Sequence, residues 1–265
     1  MLIFNCELTH PAEIGLAELE RGFFYGDGCF ETLRLSRGGF PLWPWHLQRL
    51  RETSEAIHLE LPDIFFSQVE IERLARLLVP SAAGDCAFRL ALWRAGGRGR
   101  HIASTRAHWL LQCLGPAPDF FEEVRLASEP VTLPQTQGPH KRLGQSTYAT
   151  LPVTADGEDV LLVNDRGHIL ETLNSNVWIL HGERLLTPPL SSGCINGVWR
   201  RAVFSLRTNL AIPLEECEIS AGDLTPQTPL MLGNALRGFH PVPGHPFPQT
   251  LALHIHHQLW RPKVP

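Results

Sequence analysis

The apolar positions of the chain repeat with two different periods, and the changes of period mark its elements. Leu2 to Leu8 has the content of a strand, and Cys29 to Leu35 and Phe40 to Trp43 read as two more, joined as a hairpin at Arg37-Gly38-Gly39. From Pro44 the spacing lengthens. Leu47, Leu50, Ile57 and Leu59 recur on a loosely helical face that also carries Arg49 and Arg51, and a second helix over Asp63 to Leu78 stops at Pro80. Ala87 to Trp93 and His108 to Leu114 return to strand. Beyond them, Val124 to Val131, Val160 to Val163 and Asn176 to Leu180 read as strands, with a turn at Asn164-Asp165-Arg166-Gly167. An amphipathic helix over Val198 to Arg207, with Asn196 placed to cap it, a short strand at Leu230 to Leu232 and a helix over Leu251 to Trp260 complete the chain.

Strands interleaved with helices predict an α/β (α+β) fold, and 265 residues are enough for two domains with separate cores. Gly115-Pro116-Ala117-Pro118-Asp119 fits neither period and is the best linker, which predicts an N-terminal α/β domain over 1–115, a linker at 116–121 and a C-terminal domain over 122–265. A hydrophobic fraction of 43% and a charged fraction of 19% are those of a globular protein. The net charge of −4 argues against nucleic acid or an anionic membrane as partner, since either needs a clustered excess of Lys and Arg. The start of the chain lacks a signal-peptide pattern and no run reaches the length of a membrane span, so a cytoplasmic location is expected. Cys6, Cys29, Cys86, Cys113, Cys194 and Cys217 stand at wide, irregular spacings without a C-x-x-C pair, which gives a zinc site or disulfide framework little support.

The candidate chemistry lies in a few short segments. Lys141 sits between His140 and Arg142 after Gly138-Pro139, and neighbouring cations with partial burial favour the neutral, nucleophilic amine. Taken alone, such a triplet is more often a solvated basic corner. Tyr25-Gly26-Asp27-Gly28 is either a plain turn or a place where backbone approaches something closely. Arg94-Ala95-Gly96-Gly97-Arg98-Gly99-Arg100 could fold round an anion, although an exposed basic loop tip is the commoner outcome. Glu171, in Ile169-Leu170-Glu171-Thr172-Leu173, either faces solvent or has a fixed cationic partner. Ser191 to Gly197 leads into a helix whose free amides make an anion site. His254, His256 and His257 do not line one helical face, so surface histidines describe them better than a metal site.

Taken together in this order, from Arg21-Gly22-Phe23-Phe24-Tyr25-Gly26-Asp27-Gly28-Cys29-Phe30-Glu31-Thr32 through to Asn234-Ala235-Leu236 and Pro241-Val242, these segments resemble the fold-type IV pyridoxal-phosphate enzymes, the class IV aminotransferase family. The resemblance implies a two-domain fold with pyridoxal 5'-phosphate in the cleft between domains, the C-terminal domain being the cofactor-binding one, and a homodimer. It implies that Lys141 bonds covalently to the cofactor aldehyde and later acts as base, that Glu171 pairs with the pyridine nitrogen, and that Arg49 holds the phosphate. The Gly197-Val198-Trp199-Arg200 turn is implied to add the backbone amides of Val198 and Trp199, and Asn234 a side chain, to the phosphate site. Within the family the sequence is similar to the 4-amino-4-deoxychorismate lyases, which form 4-aminobenzoate and pyruvate for folate biosynthesis. That likeness implies substrate contacts from Arg98 and Tyr25. Gly144 departs from it, standing where these lyases often carry a polar residue. An aminotransferase acting on a D- or branched-chain amino acid would use the same Lys141, Glu171 and Arg49.

Overall fold

The computed structural model describes residues 1–80, 83–96, 99, 104–133, 138–144, 148, 151 and 158–260. The chain forms two compact units, Met1–Ala117 with His140–Gln145, and Pro118–Pro139 with Ser146–Arg261. The first unit therefore takes back the short stretch that carries Lys141. None of the helices among the described residues is long and apolar enough to cross a membrane.

In the first unit β1 (Leu2–Phe4), β2 (Glu7–Thr9), β3 (Gly28–Leu35), β4 (Cys86–Arg94) and β5 (Ala107–Pro116) form an antiparallel sheet in the order β2-β1-β5-β4-β3. The helices are α1 (Leu16–Tyr25), α2 (Trp43–Ala56) and α3 (Gln68–Arg76). Trp43, His46, Leu50 and Thr53 recur at helical spacing on the buried side of α2, and Ile71, Leu74 and Ala75 on that of α3, whose N-terminus Ser67 caps through the Glu70 amide. The apolar members of these faces, Trp43, Leu50, Ile71, Leu74 and Ala75, close one core with Leu33, Phe65, Phe88, Leu90 and Trp109. Phe65, Phe88 and Phe40 are at most 1% exposed, and burial of side chains of this size contributes about 1.5–3 kcal/mol each.

Two expectations fail here for identifiable reasons. Leu2 to Leu8 is not one strand, because Asn5 and Cys6 take left-handed backbone angles and turn the chain into a hairpin, while the Asn5 side chain accepts from the Trp109 amide at 3.0 Å. Phe40 to Trp43 is not a strand either. Ser36 and Gly39 do close a tight turn, but Pro41 and Pro44 have no amide for a ladder, and the Phe40 amide donates to the Glu72 carboxylate at 2.8 Å. Trp43 starts α2 instead, and β3 pairs with β4 along its whole length.

In the second unit β6 (Arg125–Leu126) runs parallel to β8 (Glu158–Asp159), and β7 (Val131–Thr132), β9 (Leu161–Val163) and β10 (Ile169–Thr172) form a small sheet in the order β10-β9-β7. β11 (Asn176–His181), β12 (Arg184–Thr187), β13 (Leu214–Glu216), β14 (Leu230–Asn234) and β15 (Gly238–Pro241) form another, in the order β13-β12-β11-β14-β15. Helix α4 (Val198–Ser205) and helix α5 (Gln249–Leu259) meet through Trp199 and Trp260, the residue that ends α5, whose rings lie 4.7 Å apart. The single strand expected over Val124 to Val131 is divided into β6 and β7 at Ser128-Glu129-Pro130, where the proline supplies no amide. The turn at Asn164 forms as expected, with Asn164 Oδ1 accepting from the Arg166 and His168 amides at 3.0 Å each.

Candidate active site

Lys141 lies on a segment that lines the open edge of β3. The Phe30 amide donates to the Lys141 carbonyl at 3.3 Å, the Leu143 amide donates to the Gly28 carbonyl at 2.9 Å, and Arg142 bridges Cys29 in antiparallel register. The seat depends on two glycines. Gly26 and Gly144 both have positive φ, +59° and +72°, and a Cβ on Gly26 would stand 2.8 Å from the Gly144 Cα. This close approach accounts for Gly144 where a polar residue was expected. Lys141 Nζ lies 4.6 Å from the centroid of the Phe30 ring and donates to Thr32 Oγ1 at 3.5 Å. His140 is turned toward α2, its Nδ1 3.5 Å from Thr53 Oγ1.

Arg49 is buried on α2 and is gripped by Glu31 of β3, a residue the sequence reading passed over. Arg49 Nε donates to Glu31 Oε1 at 2.7 Å and Nη2 to Oε2 at 2.5 Å, while His46 Nδ1, one helical turn earlier, meets Oε2 at 2.6 Å. Burial alone would raise the Glu31 carboxyl, but Arg49, with His46, outweighs it and brings the pKa down to about 2. His46 is lowered, first by burial and then by the charges of Arg49 and Lys141, against the pull of Glu31. His46 is thus neutral and donates from Nδ1. The signal in the sequence was a carboxylate on an inward position of an apolar strand, together with a His three residues before an Arg on one helical face.

Tyr25 ends α1. Its ring lies under the Arg21 guanidinium at 4.4 Å, and its hydroxyl accepts from the Gly99 amide at 3.3 Å, while Arg21 Nη1 donates to the Gly99 carbonyl. Asp27 joins Arg21 and Arg94 at 2.7 and 3.0 Å. Burial pushes the Asp27 carboxyl up, but Arg94 and Arg21 together bring it below its usual range. Arg94 also donates to the carbonyls of Ile57, His58 and Ser104, so this arginine, expected in a loop for anions, ties backbone segments together. Arg98, Gly97 and Arg100 lie outside the described residues.

In the second unit Glu171 is 6% exposed on β10, which excludes the solvent-facing alternative. Its Oε1 accepts from the Tyr148 hydroxyl at 3.2 Å and its Oε2 from the Ile195 amide at 3.1 Å. Tyr148 was also missed by sequence. Burial, and then the Glu171 carboxylate, raise its phenol, which holds the hydroxyl proton toward Glu171. The same two causes push the Cys194 thiol up to about 12, so it is a neutral neighbour. Gly197, not Asn196, is the N-cap of α4, and no side chain caps the helix; Asn196 Oδ1 accepts from Arg200 Nη1 at 3.5 Å instead. Gly197 is held against Asn176, whose Oδ1 would lie 2.0 Å from a Cβ there. The first-turn amides of Val198 and Trp199 have no acceptor within the helix. Asn234 closes the β14–β15 turn through Oδ1 and donates from Nδ2 to Ser175 Oγ at 3.1 Å. The three histidines of α5 do not form a metal cluster among the described residues, and His256 stacks on Trp260 with ring centroids 4.9 Å apart. All six cysteines are free thiols.

The family model for amino-transferase class IV matches residues 28–244, which include Lys141, Arg49, Glu171, the start of α4 and Asn234. The chain belongs to the class IV aminotransferases. It is 24% identical over 247 residues to an aminodeoxychorismate lyase of Vibrio harveyi, covering 87% of this chain and 88% of the lyase. The structure resembles the branched-chain aminotransferase of Thermoproteus uzoniensis, with a TM-score of 0.78, 19% identity and coverage of 97% and 94%. It also resembles the PLP-bound form of a hypothetical aminotransferase of Mycobacterium tuberculosis, with a TM-score of 0.76, 23% identity and coverage of 98% and 99%. The fold-type IV architecture is therefore shared, and the chain is a pyridoxal-phosphate enzyme. The residues present fit that cofactor. A buried carboxylate suits a protonated pyridine nitrogen, an uncapped helix N-terminus and a buried arginine suit a phosphate dianion, and a lysine held by its backbone suits the aldehyde.

Proposed function

We propose that the protein is a lyase converting 4-amino-4-deoxychorismate into 4-aminobenzoate and pyruvate, a step of folate biosynthesis, acting as a homodimer in the cytoplasm. The observation that carries this reading is the likeness to an aminodeoxychorismate lyase along 87% of the chain. Bound pyridoxal phosphate supplies an electron sink at its protonated ring. Glu171 keeps the proton on the ring nitrogen, supported by the Tyr148 hydroxyl and the Ile195 amide. Arg49, oriented by Glu31, the Val198 and Trp199 amides and the Asn234 side chain hold the phosphate. Lys141 would anchor the cofactor covalently, and its Nζ would take the proton from the substrate carbon that bears the amine. Loss of that proton and rupture of the neighbouring C–O bond release enolpyruvate, which takes up a proton to become pyruvate. The ring becomes aromatic, which drives the reaction, and no second substrate is needed. Arg98 pairs with a substrate carboxylate, and Tyr25 holds Gly99, the residue after it.

The test is to supply aminodeoxychorismate to the purified protein with no keto acid present and to measure pyruvate. Stoichiometric pyruvate and 4-aminobenzoate are expected. A strict requirement for a keto-acid acceptor would replace this reading with an aminotransferase acting on a D- or branched-chain amino acid. Lys141→Ala should abolish the borohydride-fixed attachment of the cofactor in either case.

A further inference from the structure

Asn234 stands at the head of a buried chain of hydrogen bonds whose direction can be worked out atom by atom. Its Oδ1 accepts from the Leu236 and Arg237 amides at 3.0 and 2.9 Å, which fixes the orientation of the amide and turns Nδ2 toward Ser175. At the far end the Gly238 carbonyl can only accept, so His240 Nδ1 carries the proton and donates to it at 3.0 Å. His240 is fully buried, and burial lowers its pKa to about 4, so the ring is neutral and Nε2 is an acceptor. The Ser175 hydroxyl must then donate to Nε2, at 3.3 Å, and present its oxygen to Asn234 Nδ2 at 3.1 Å. Every bond runs the same way, from Asn234 through Ser175 and His240 to Gly238.

This direction has a consequence at the start of α4. Ser175 precedes Asn176, which packs on Gly197, and Asn234 follows Gly233, where a Cβ would stand 2.5 Å from Trp199 Cδ1. Ser175 and Asn234 are therefore each one residue from a contact with the start of α4, Asn176 on Gly197 and Gly233 on the Trp199 ring. The Ser175 proton is committed to His240 and cannot reach an anion there. Asn234 Nδ2 uses one of its two N–H bonds on Ser175, and the other has no acceptor among the described residues.

We propose that His240, acting through Ser175, is a positioning residue that holds Asn234 with one N–H directed at the cofactor phosphate. The inference rests on the assignment of Asn234 to the phosphate site and not on which reaction the enzyme performs. A failed lyase assay therefore leaves it standing.

The test compares binding of pyridoxal 5'-phosphate and of pyridoxal, which lacks the phosphate, to the cofactor-stripped full-length protein. Ser175→Ala and Asn234→Ala should each weaken pyridoxal phosphate about 5- to 20-fold, the effect of losing one hydrogen bond to a charged group, and leave pyridoxal unchanged. The double variant should be no weaker than the worse single one, because the two side chains act in one chain. His240→Leu should weaken pyridoxal phosphate as Ser175→Ala does, and His240→Gln, whose Oε1 accepts in place of Nε2, should restore it to within about twofold. Unchanged pyridoxal phosphate affinity in Ser175→Ala, equal losses for both ligands, or additive losses in the double variant would each overturn the proposal. If His240→Leu fails to fold, the Ser175 and Asn234 cycle decides alone.

Discussion

Arg49 and Glu31 form a two-bond ion pair in which both side chains are buried, with Nε to Oε1 at 2.7 Å and Nη2 to Oε2 at 2.5 Å. The pair holds the guanidinium in one plane before any anion arrives and leaves Nη1 as the nitrogen not engaged by Glu31. Orientation fixed in advance removes an ordering cost from ligand binding. It also leaves the Arg49 charge neutralised by the Glu31 carboxylate.

Glu31→Gln should destabilise the protein by about 3–5 kcal/mol, because it leaves a buried guanidinium without its counter-charge. Urea unfolding at neutral pH measures this. The folded Glu31 pKa, about 2, lies below its ordinary value of 4.5. Its stabilisation is thus fully present above pH 4.5 and is lost as pH falls from there toward 2, on the order of 3 kcal/mol at about 1.4 kcal/mol per pKa unit. The variant should lack that part of the acid dependence, and an unaltered acid limb would exclude Glu31 as its source.

His240 has its folded pKa lowered from 6.5 to about 4, and His46 is lowered too, both chiefly by burial. The unfolded chain binds more protons than the folded one between these values, so stability is complete above pH 6.5 and falls as pH drops toward 4. Unfolding midpoints measured at half-unit steps of pH should show the decline starting near pH 6.5. His240→Gln should make the decline shallower.

Gly144→Ala should displace the Lys141 segment. The residue has φ of +72° and its Cβ would stand 3.2 Å from the Gly26 Cα, so both the backbone angle and the space are unfavourable. A loss of about 1–3 kcal/mol is expected, together with a weaker visible absorbance of bound cofactor. Normal absorbance with unchanged stability would show that the glycine pair does not set the lysine.

Tyr25→Phe removes the acceptor of the Gly99 amide and keeps the ring beneath Arg21. If this contact places the arginine-bearing loop, KM for a dicarboxylate substrate should rise about 2- to 10-fold, in line with one lost hydrogen bond. The absorbance of bound cofactor should not change. Steady-state kinetics with the spectrum of the same sample separates the two effects.

Much of the fold was legible because local signals agreed with it. The strand Cys29 to Leu35 alternates, α2 has a helical apolar face with Pro44 in its first turn, and the Asn164 turn carries its own acceptor. The failures occurred where a long-range partner decided. Phe40 to Trp43 looked like a strand until Glu72, far along the chain, took the Phe40 amide. Glu171 was visible as an anomalous carboxylate, but its donors Tyr148 and Ile195 were not, since neither spacing nor composition connects them to it.

By itself the sequence determined the family, the cofactor and the kinds of element that carry each motif, because those depend on residue type, order and local period. The tertiary structure decided which groups are paired and in what protonation state. Glu31 is ionised because Arg49 and His46 reach it, His240 is neutral because it is enclosed, and Lys141 is seated because two glycines far apart in the chain come into contact. Burial and proximity between distant segments set these properties, and both exist only once the chain has folded.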